Sequence, residues 1–251
     1  MPAWTEVYPA TAEDLERCHD PAYVRRVRAI EVETWLDADT VASATTWEAA
    51  LLAAGAAIEA AHVGGFALAR PPGHHALPGR AMGFCLFDNI AVAARWAQAK
   101  LGLERVAVID FDVHHGNGTQ EIFWHDDTVF FASLHQWPFY PGSGGPTEQR
   151  DTTLNVPMSA GSGDAEYLHA FEHTVAPAVE RFKPELVLVS AGFDAHEDDP
   201  IAGMRVTRDG FRELARQCRP LGPRLAAVLE GGYNLTTLPS LVEAALEGFQ
   251  Q

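Results

Sequence analysis

Short continuous apolar runs alternate with longer, helix-patterned segments along this chain. Phe66–Arg70, Val106–Asp110, Thr128–Ser133, Leu186–Ser190 and Leu225–Leu229 are apolar almost throughout, not at every second position. Such runs mark strands buried on both faces, and hence a parallel sheet covered on both sides. The intervening segments read as helices. Asp20-Pro21 places a capping residue before a proline and predicts a helix running towards Leu36. Trp47 to Ala61 is alanine-rich, and Asn89–Leu101 stops at Gly102, a helix-ending residue. Ser162–Arg181 reads as a long helix that Pro177 bends. Thr207 caps a helix to about Arg219, and Pro239–Phe249 closes the chain. The alternation predicts an α/β fold, an open and mostly parallel sheet with helices on both faces. No repeat or linker-like stretch interrupts it, so residues 1–251 are expected to form a single domain.

Composition narrows the reading. With 47% hydrophobic and 21% charged residues, the chain is an ordinary globular one and not a disordered one. No apolar run reaches the roughly 18 residues of a membrane-spanning helix, and Met1–Glu6 lacks a basic-then-apolar leader. Cys18, Cys85 and Cys218 are odd in number and far apart, which suits neither a disulfide framework nor a CxxC metal site and points to a reducing cytoplasm. Acidic residues number 34 against 18 basic ones, a net charge of −16 that repels phosphate backbones, so direct nucleic-acid binding is not expected. Such a charge suits a cationic substrate, although acidic surfaces more often serve solubility alone.

The chemistry lies where the strands end. Ligands of open parallel sheets bind beyond the carboxyl ends of the strands. Here those ends deliver Pro71-Pro72-Gly73-His74-His75, then Asp110-Phe111-Asp112-Val113-His114-His115-Gly116-Asn117, Ser133-Leu134-His135, Asp194 with His196, and Glu230-Gly231-Gly232-Tyr233. Asp112 and His114, two apart in extended chain, point the same way, and Asp194 supplies a third ligand. Three protein ligands leave one coordination position open, the mark of a catalytic metal site. An isolated Asp-x-His is more often a hydrogen-bonded loop; its coincidence with Asp194 and the paired histidines favours the metal. His74 and His75 suit proton transfer, with Asp110 and Asn117 as orienting partners. Tyr233, swung in by two glycines, suits hydrogen-bond donation to a developing oxyanion. Gly83-Phe84 and Phe139-Tyr140 read equally as channel walls or as packing.

Taken together, Arg70-Pro-Pro-Gly-His-His-Ala76, Gly83-Phe-Cys-Leu-Phe-Asp-Asn89, Ile109-Asp-Phe-Asp-Val-His-His-Gly-Asn-Gly-Thr-Gln120, Ser133-Leu-His135, Phe139-Tyr-Pro-Gly142, Ala191-Gly-Phe-Asp-Ala-His196 and Leu229-Glu-Gly-Gly-Tyr-Asn234 resemble the histone deacetylase family. The likeness is greatest to its class II and bacterial relatives, which include acetylpolyamine amidohydrolases, and it covers roughly residues 11–245 in the family's order. The resemblance implies an arginase-like fold and one zinc ion on Asp112, His114 and Asp194. It implies His75 as general base and acid, His74 as its electrostatic partner held by Asp110, Asn117 beside His75, and Tyr233 polarising the acetyl carbonyl. Structural potassium or sodium is implied at Asp110, Asp112, His114, Ser133 and Leu134, with Phe123, Asp126 and Val129 forming part of a second site. Phe84 and Tyr140 match the substrate channel, and Asp39 loosely matches a rim aspartate.

Relatives usually start with an additional strand and a His-Pro-Glu loop ahead of the segment resembling Thr11–Asp20; this sequence has no counterpart, which implies an exposed sheet edge and a wider rim. Asp88 stands where asparagine is common, and little consequence is expected. The activity implied is removal of acetyl from an N-acetylated amine, as free small molecule or acetyl-lysine peptide. Two rivals are a binuclear manganese ureohydrolase, which needs further bridging carboxylates, and a metal-binding scaffold that reads acetylated ligands uncleaved. Ile201, seven residues after Asp194, matches a rim position that carries glutamate in polyamine-specific members, so acetyl-lysine is expected to be preferred over acetylpolyamines.

Overall fold

A computed structural model describes residues 3–251. The elements run α1 (Ala12–Glu16), α2 (Pro21–Arg28), β1 (Thr34–Trp35), β2 (Val41–Ala42), α3 (Thr46–Val63), β3 (Phe66–Ala67), α4 (Asn89–Leu101), β4 (Val106–Asp110), α5 (Asn117–Phe123), β5 (Val129–Gln136) and β6 (Thr153–Met158). There follow α6 (Asp164–Ala170), a π-helical turn over Phe171–Val175, α7 (Ala176–Phe182), β7 (Leu186–Ala191), α8 (Arg208–Cys218), a 3-10 turn over Arg219–Leu221, β8 (Leu225–Leu229) and α9 (Leu238–Phe249).

Six strands form one sheet in the order β3-β8-β7-β4-β5-β6, and every pairing in it is parallel. Alternate residues of β4, β5, β7 and β8 enter two separate cores. Val106 and Val108 of β4 pack with Leu186, Leu188, Val228 and the alanine-rich faces of α3 and α4. Ala107 and Ile109 pack on the other side with Val187, Val189, Phe171 and Phe211. This is the three-layer arrangement that the apolar runs predict. After β4 the chain moves outward to β5 and β6; after β7 it moves the other way to β8. The adjacent strands β4 and β7 therefore diverge in their onward connections, and a crevice opens beyond their carboxyl ends.

The local differences from the sequence reading have physical causes. Pro21 opens α2, but the helix stops at Arg28 and not near Leu36, and Asp20 caps it through no side-chain bond. Beyond it the β-branched Ile30, Val32 and Thr34 favour extended chain, and Thr34–Trp35 pairs antiparallel with Val41–Ala42. The strand expected over Phe66–Arg70 is only Phe66–Ala67, since Arg70 leads into the prolines. β5 runs on through Ser133-Leu134-His135, which lie within the strand and not after it. β6 was not expected: it is an edge strand that contains Pro157, a position where a missing N–H is tolerated. The helix over Ser162–Arg181 is three pieces. Its π turn ends two residues before Pro177 and includes His173, widening the coil where a proline ring would strike the carbonyl four residues back. Gly102 ends α4 in the left-handed region, and the Thr207 hydroxyl caps α8 by accepting from the Gly210 N–H at 3.2 Å, both as expected.

Leu188 lies fully buried on β7, in the core shared with α3 and α4. Leu188→Ala is expected to lower stability by about 2–5 kcal/mol. The readout is a lower urea midpoint at unchanged slope; an unshifted midpoint would show that this face is not packed.

Candidate metal and catalytic site

Asp112 and His114 leave β4 and Asp194 leaves β7, so the crevice between those strands receives all three. Their ligand atoms lie within 4.8 Å of one another, and all three residues are buried. His114 Nδ1 stands 3.0 Å from Asp112 Oδ1 and 3.0 Å from Asp194 Oδ2. The other carboxylate lone pairs are tied down by main-chain donors. Asp112 Oδ2 accepts from the Gly231 N–H at 2.7 Å, and Asp194 Oδ1 accepts from the Val113 N–H at 2.9 Å. A Cβ at Gly231 or Gly192 would overlap these carboxylates, so both positions require glycine for close backbone approach.

Two observations fit a bound cation here. Asp194 Oδ2 is fully buried and meets no main-chain donor, with only the His114 ring beside it at 3.0 Å. Burial opposes charge on His114, but Asp112 and Asp194 hold its imidazole up at about 10, so the pocket favours positive charge at its centre. Two carboxylates and one imidazole suit a divalent ion.

The neighbouring histidine pair is electrostatically split. His74 Nδ1 lies 2.9 Å from Asp110 Oδ2, and the His74 and His75 ring centres are 4.0 Å apart. Burial opposes charge on His74, yet Asp110 and Asp112 outweigh it and hold the ring well above the ordinary imidazole range. Burial and the adjacent His74 push His75 well below that range. His75 Nδ1 donates to Asn117 Oδ1 at 2.8 Å, which leaves Nε2 of the neutral ring with its lone pair free. Two like rings thus carry different proton occupancies, the condition under which one serves as base and the other as fixed charge.

Tyr233 follows the turn at Gly231-Gly232. Burial, with Asp112 and Asp194 nearby, raises its phenol further above the usual range, so the hydroxyl is a donor at any ordinary pH. Phe84 meets its ring edge-on at 6.1 Å between centres. Tyr140 stands edge-on to His75 at 5.2 Å, and Phe139 stacks on His114 at 5.3 Å. Phe84 and Tyr140 remain 44% and 38% exposed, so they border the site and do not pack a core. Phe84 adopts a left-handed backbone (φ 67), held there by Thr40 Oγ1, which accepts its N–H at 3.0 Å.

The other expected residues fall in several places. Asp39 Oδ1 accepts the Gly83 N–H at 3.2 Å, so it supports the Phe84 turn. Ser133 lies beside Asp110 in strand register, and Leu134 is the next residue of β5. Phe123, Asp126 and Val129 lie at the end of α5 and the start of β5, where the Asp126 carboxylate pairs with Arg95 at 2.5 Å. Ile201 is partly exposed in the loop after β7. Asp88 does more than expected: it caps α4 through the Ala91 N–H and accepts from the Thr119 hydroxyl at 2.9 Å.

Sequence reasoning passed over the residues that hold these loops. Glu230 Oε2 accepts the Gly73 N–H at 2.7 Å and the His74 N–H at 3.2 Å, and the Glu230 carbonyl accepts from Arg70. His115 Nδ1 bonds Ser143 Oγ at 2.8 Å, and His135 Nε2 donates to the Gly144 carbonyl at 2.9 Å, which fixes the loop carrying Phe139 and Tyr140. The available signal was their presence in the same strand-end motifs; nothing in their spacing marks them as supports.

Residues 2–249 match the family model described as histone deacetylase domain. "Histone deacetylase 10, chloroplastic" of Oryza sativa subsp. japonica is 44% identical, over 96% of this chain and 61% of that protein. "Histone deacetylase-like amidohydrolase" of Pseudomonas aeruginosa is 43% identical, over 95% of this chain and 68% of that protein. The crystal structure titled HDA15 HD domain superposes with a TM-score of 0.94 at 38% identity, covering 98% of this chain and 74% of that one. The chain spans 61% of the length of the Oryza sativa protein and 62% of that of "Histone deacetylase 14, chloroplastic" of Arabidopsis thaliana. No described helix is long and apolar enough to cross a membrane.

Replacing any of Asp112, His114 or Asp194 by alanine is expected to abolish stoichiometric divalent-metal retention, measured after dialysis. Three ligands leave no redundancy. Full retention in any one variant would remove that residue from the set.

Proposed function

Because the chain belongs to the histone deacetylase domain family, we propose that it is a zinc-dependent amidohydrolase that removes acetyl groups from N-acetylated amines, with acetyl-lysine preferred. The observation that carries this reading is His75, its Nδ1 bonded to Asn117 and its Nε2 free, beside the buried Asp112-His114-Asp194 pocket and Tyr233. Asp112, His114 and Asp194 would hold the ion, which when bound supplies Lewis acidity to the amide carbonyl and its attacking water.

The protein's own groups do the rest. His75 Nε2 takes a proton from the attacking water and later returns it to the leaving amine nitrogen. Asn117 keeps the ring's own proton on Nδ1. His74, held as a cation by Asp110, keeps His75 neutral before the reaction. Tyr233 donates to the acyl oxygen as negative charge grows on it. Phe84, Phe139 and Tyr140 wall a passage for an alkyl chain. Asp110, Asp112, His114, Ser133 and Leu134 are read as holding a structural potassium or sodium ion, which the strand register of Asp110 with Ser133 supports.

The substrate preference rests on Ile201. A glutamate there would pair with a distant ammonium; an isoleucine imposes no unpaired-charge cost on a substrate lacking one. Among the neighbouring acids, Asp199 is buried and hydrogen-bonded to main chain, so it is not free to replace that glutamate.

Protein loaded with one equivalent of zinc is expected to release acetate from an acetyl-lysine peptide with higher kcat/KM than from N8-acetylspermidine, and Ile201→Glu should shift the ratio towards the polyamine. A wild type favouring the polyamine about tenfold would overturn the preference. Stoichiometric peptide binding without acetate release would favour a non-cleaving scaffold. Asn117→Asp supplies a second test. A carboxylate on Nδ1 favours imidazolium, so the acidic limb of kcat/KM should move to higher pH. A limb that stays or moves down would count against His75 as the base.

A further inference from the structure

Tyr233 has a weakness built into its approach. It follows Gly231-Gly232, and Gly232 adopts φ +125, a conformation side-chain-bearing residues rarely take. Beyond it the chain returns to the surface at Leu235, which is 81% exposed. The ring meets Phe84 only edge-on, and among the described residues its hydroxyl takes no hydrogen bond. The pose of the phenol therefore depends on what grips the backbone after the glycines.

That grip is one carboxylate. Asp199 Oδ2 accepts the Tyr233 N–H at 2.7 Å and the Asn234 N–H at 3.3 Å. Its Oδ1 accepts the Ile201 N–H at 3.0 Å. Asp199 is only 7% exposed, and its own N–H donates to the His196 carbonyl at 3.0 Å, which ties it into the loop that begins with Asp194. The Asn234 side chain adds a bond to the Asp198 carbonyl at 2.9 Å, so the two loops are stitched at adjacent residues. Charge-assisted bonds from main-chain N–H groups to a shielded carboxylate are the stronger class of hydrogen bond.

We propose that Asp199 is a positioning residue for catalysis: it locks the Tyr233 main chain to the loop carrying the metal ligand Asp194, so that the oxyanion donor and the ion keep a fixed separation. The same carboxylate sets the rim residue Ile201, so mouth, donor and metal loop share one strut. The proposal rests on the deacetylase reading for its catalytic consequence, but not for its geometric one. An asparagine cannot replace the aspartate. Its amide offers one acceptor oxygen and turns an N–H donor towards either Ile201 or Tyr233.

The test combines a mutant cycle with a direct reading of the ring. In zinc-loaded protein, Asp199→Ala should retain stoichiometric metal and near-normal KM for an acetyl-lysine peptide while kcat falls about 10²-fold, the scale of an ångström-sized misplacement. Tyr233→Phe should lose about 10²–10³-fold, as for one oxyanion donor. If Asp199 acts through Tyr233, adding Asp199→Ala to Tyr233→Phe should cost no more than about threefold further, whereas independent effects would multiply. Independently of turnover, 3-fluorotyrosine labelling of the five tyrosines gives a 19F signal for Tyr233, assigned by its loss in Tyr233→Phe. Asp199→Ala should shift or broaden that signal and leave the other four in place. Multiplicative losses, or an unmoved Tyr233 signal, would overturn the proposal. If the wild type hydrolyses no acetyl-lysine peptide, the functional reading falls and the 19F result alone decides the strut. If Asp199→Ala does not fold, Asp199→Asn is read by the same criteria.

Discussion

Asp110, Asp112 and Asp194 are wholly buried together at the divergence of β4 and β7, and everything around them is arranged to make that tolerable. Two like charges about 4 Å apart at an effective dielectric near 20 repel by about 4 kcal/mol. Main-chain donors answer part of this: the Asp112 N–H bonds Asp110, the His114 and Gly231 N–H groups bond Asp112, and the Val113 N–H bonds Asp194. Glycines 192 and 231 let the backbone come close enough to provide them. His74 answers Asp110. What no main-chain donor answers is the inward Asp194 oxygen, which has only the His114 ring against it at 3.0 Å and faces the place where Asp112 and His114 converge. A pocket suited to a cation is thus what is left of an electrostatic problem that the rest of the fold solves only in part.

The histidine pair inherits its asymmetry from the same charges. His74 sits against Asp110 and within 3.8 Å of Asp112, so it keeps its proton despite burial. His75 has a neutral amide partner and a charged neighbour, so burial prevails and it loses its proton. The difference between Asp110 and Asn117, one carboxylate against one amide, separates the two rings.

Much of this could be read from the chain because the chemistry occupies strand ends, and four of the five apolar runs form strands over all or nearly all of their length in the fold. Asp112, His114 and Asp194 converge because i and i+2 share a face at the end of β4 and β7 lies alongside, both consequences of period and topology. The aromatic loops were ambiguous until the fold showed Phe84 and Tyr140 half exposed at the site. β6 stayed hidden because Thr153-Leu-Asn-Val-Pro-Met158 contains a proline and two buried polar residues, Thr153 and Asn155, which an edge strand permits. The turn of helix at Asn117–Phe123 was hidden by Gly118, whose place is dictated by close contact with Ala76 and not by helix propensity. Least legible were the loop supports. Glu230, Asp199 and Asp39 act by accepting main-chain N–H groups from distant segments, and a bond to backbone leaves no residue-type pattern in the partner.

Those supports also change what the acidic composition means. Asp88, Asp110, Asp112, Asp194, Asp199 and Glu230, six of the 34 acids, are buried, whereas no lysine or arginine is. The excess of negative charge is therefore not only a coat that keeps the molecule dispersed. Part of it stands behind the site, in a low-dielectric interior where its field is screened least. Burial raises Glu230 to about 8 and Asp88 to about 7, which moderates that field at the back of the site. Asp112 differs: burial pushes its carboxyl up, but His74 and His114 hold it well below the usual carboxylate range, so the charge persists where the donors converge. The gradient runs from acids that burial tends to neutralise to a carboxylate held ionised at the crevice. A cation entering that crevice meets its strongest attraction at the point where the ligands already converge.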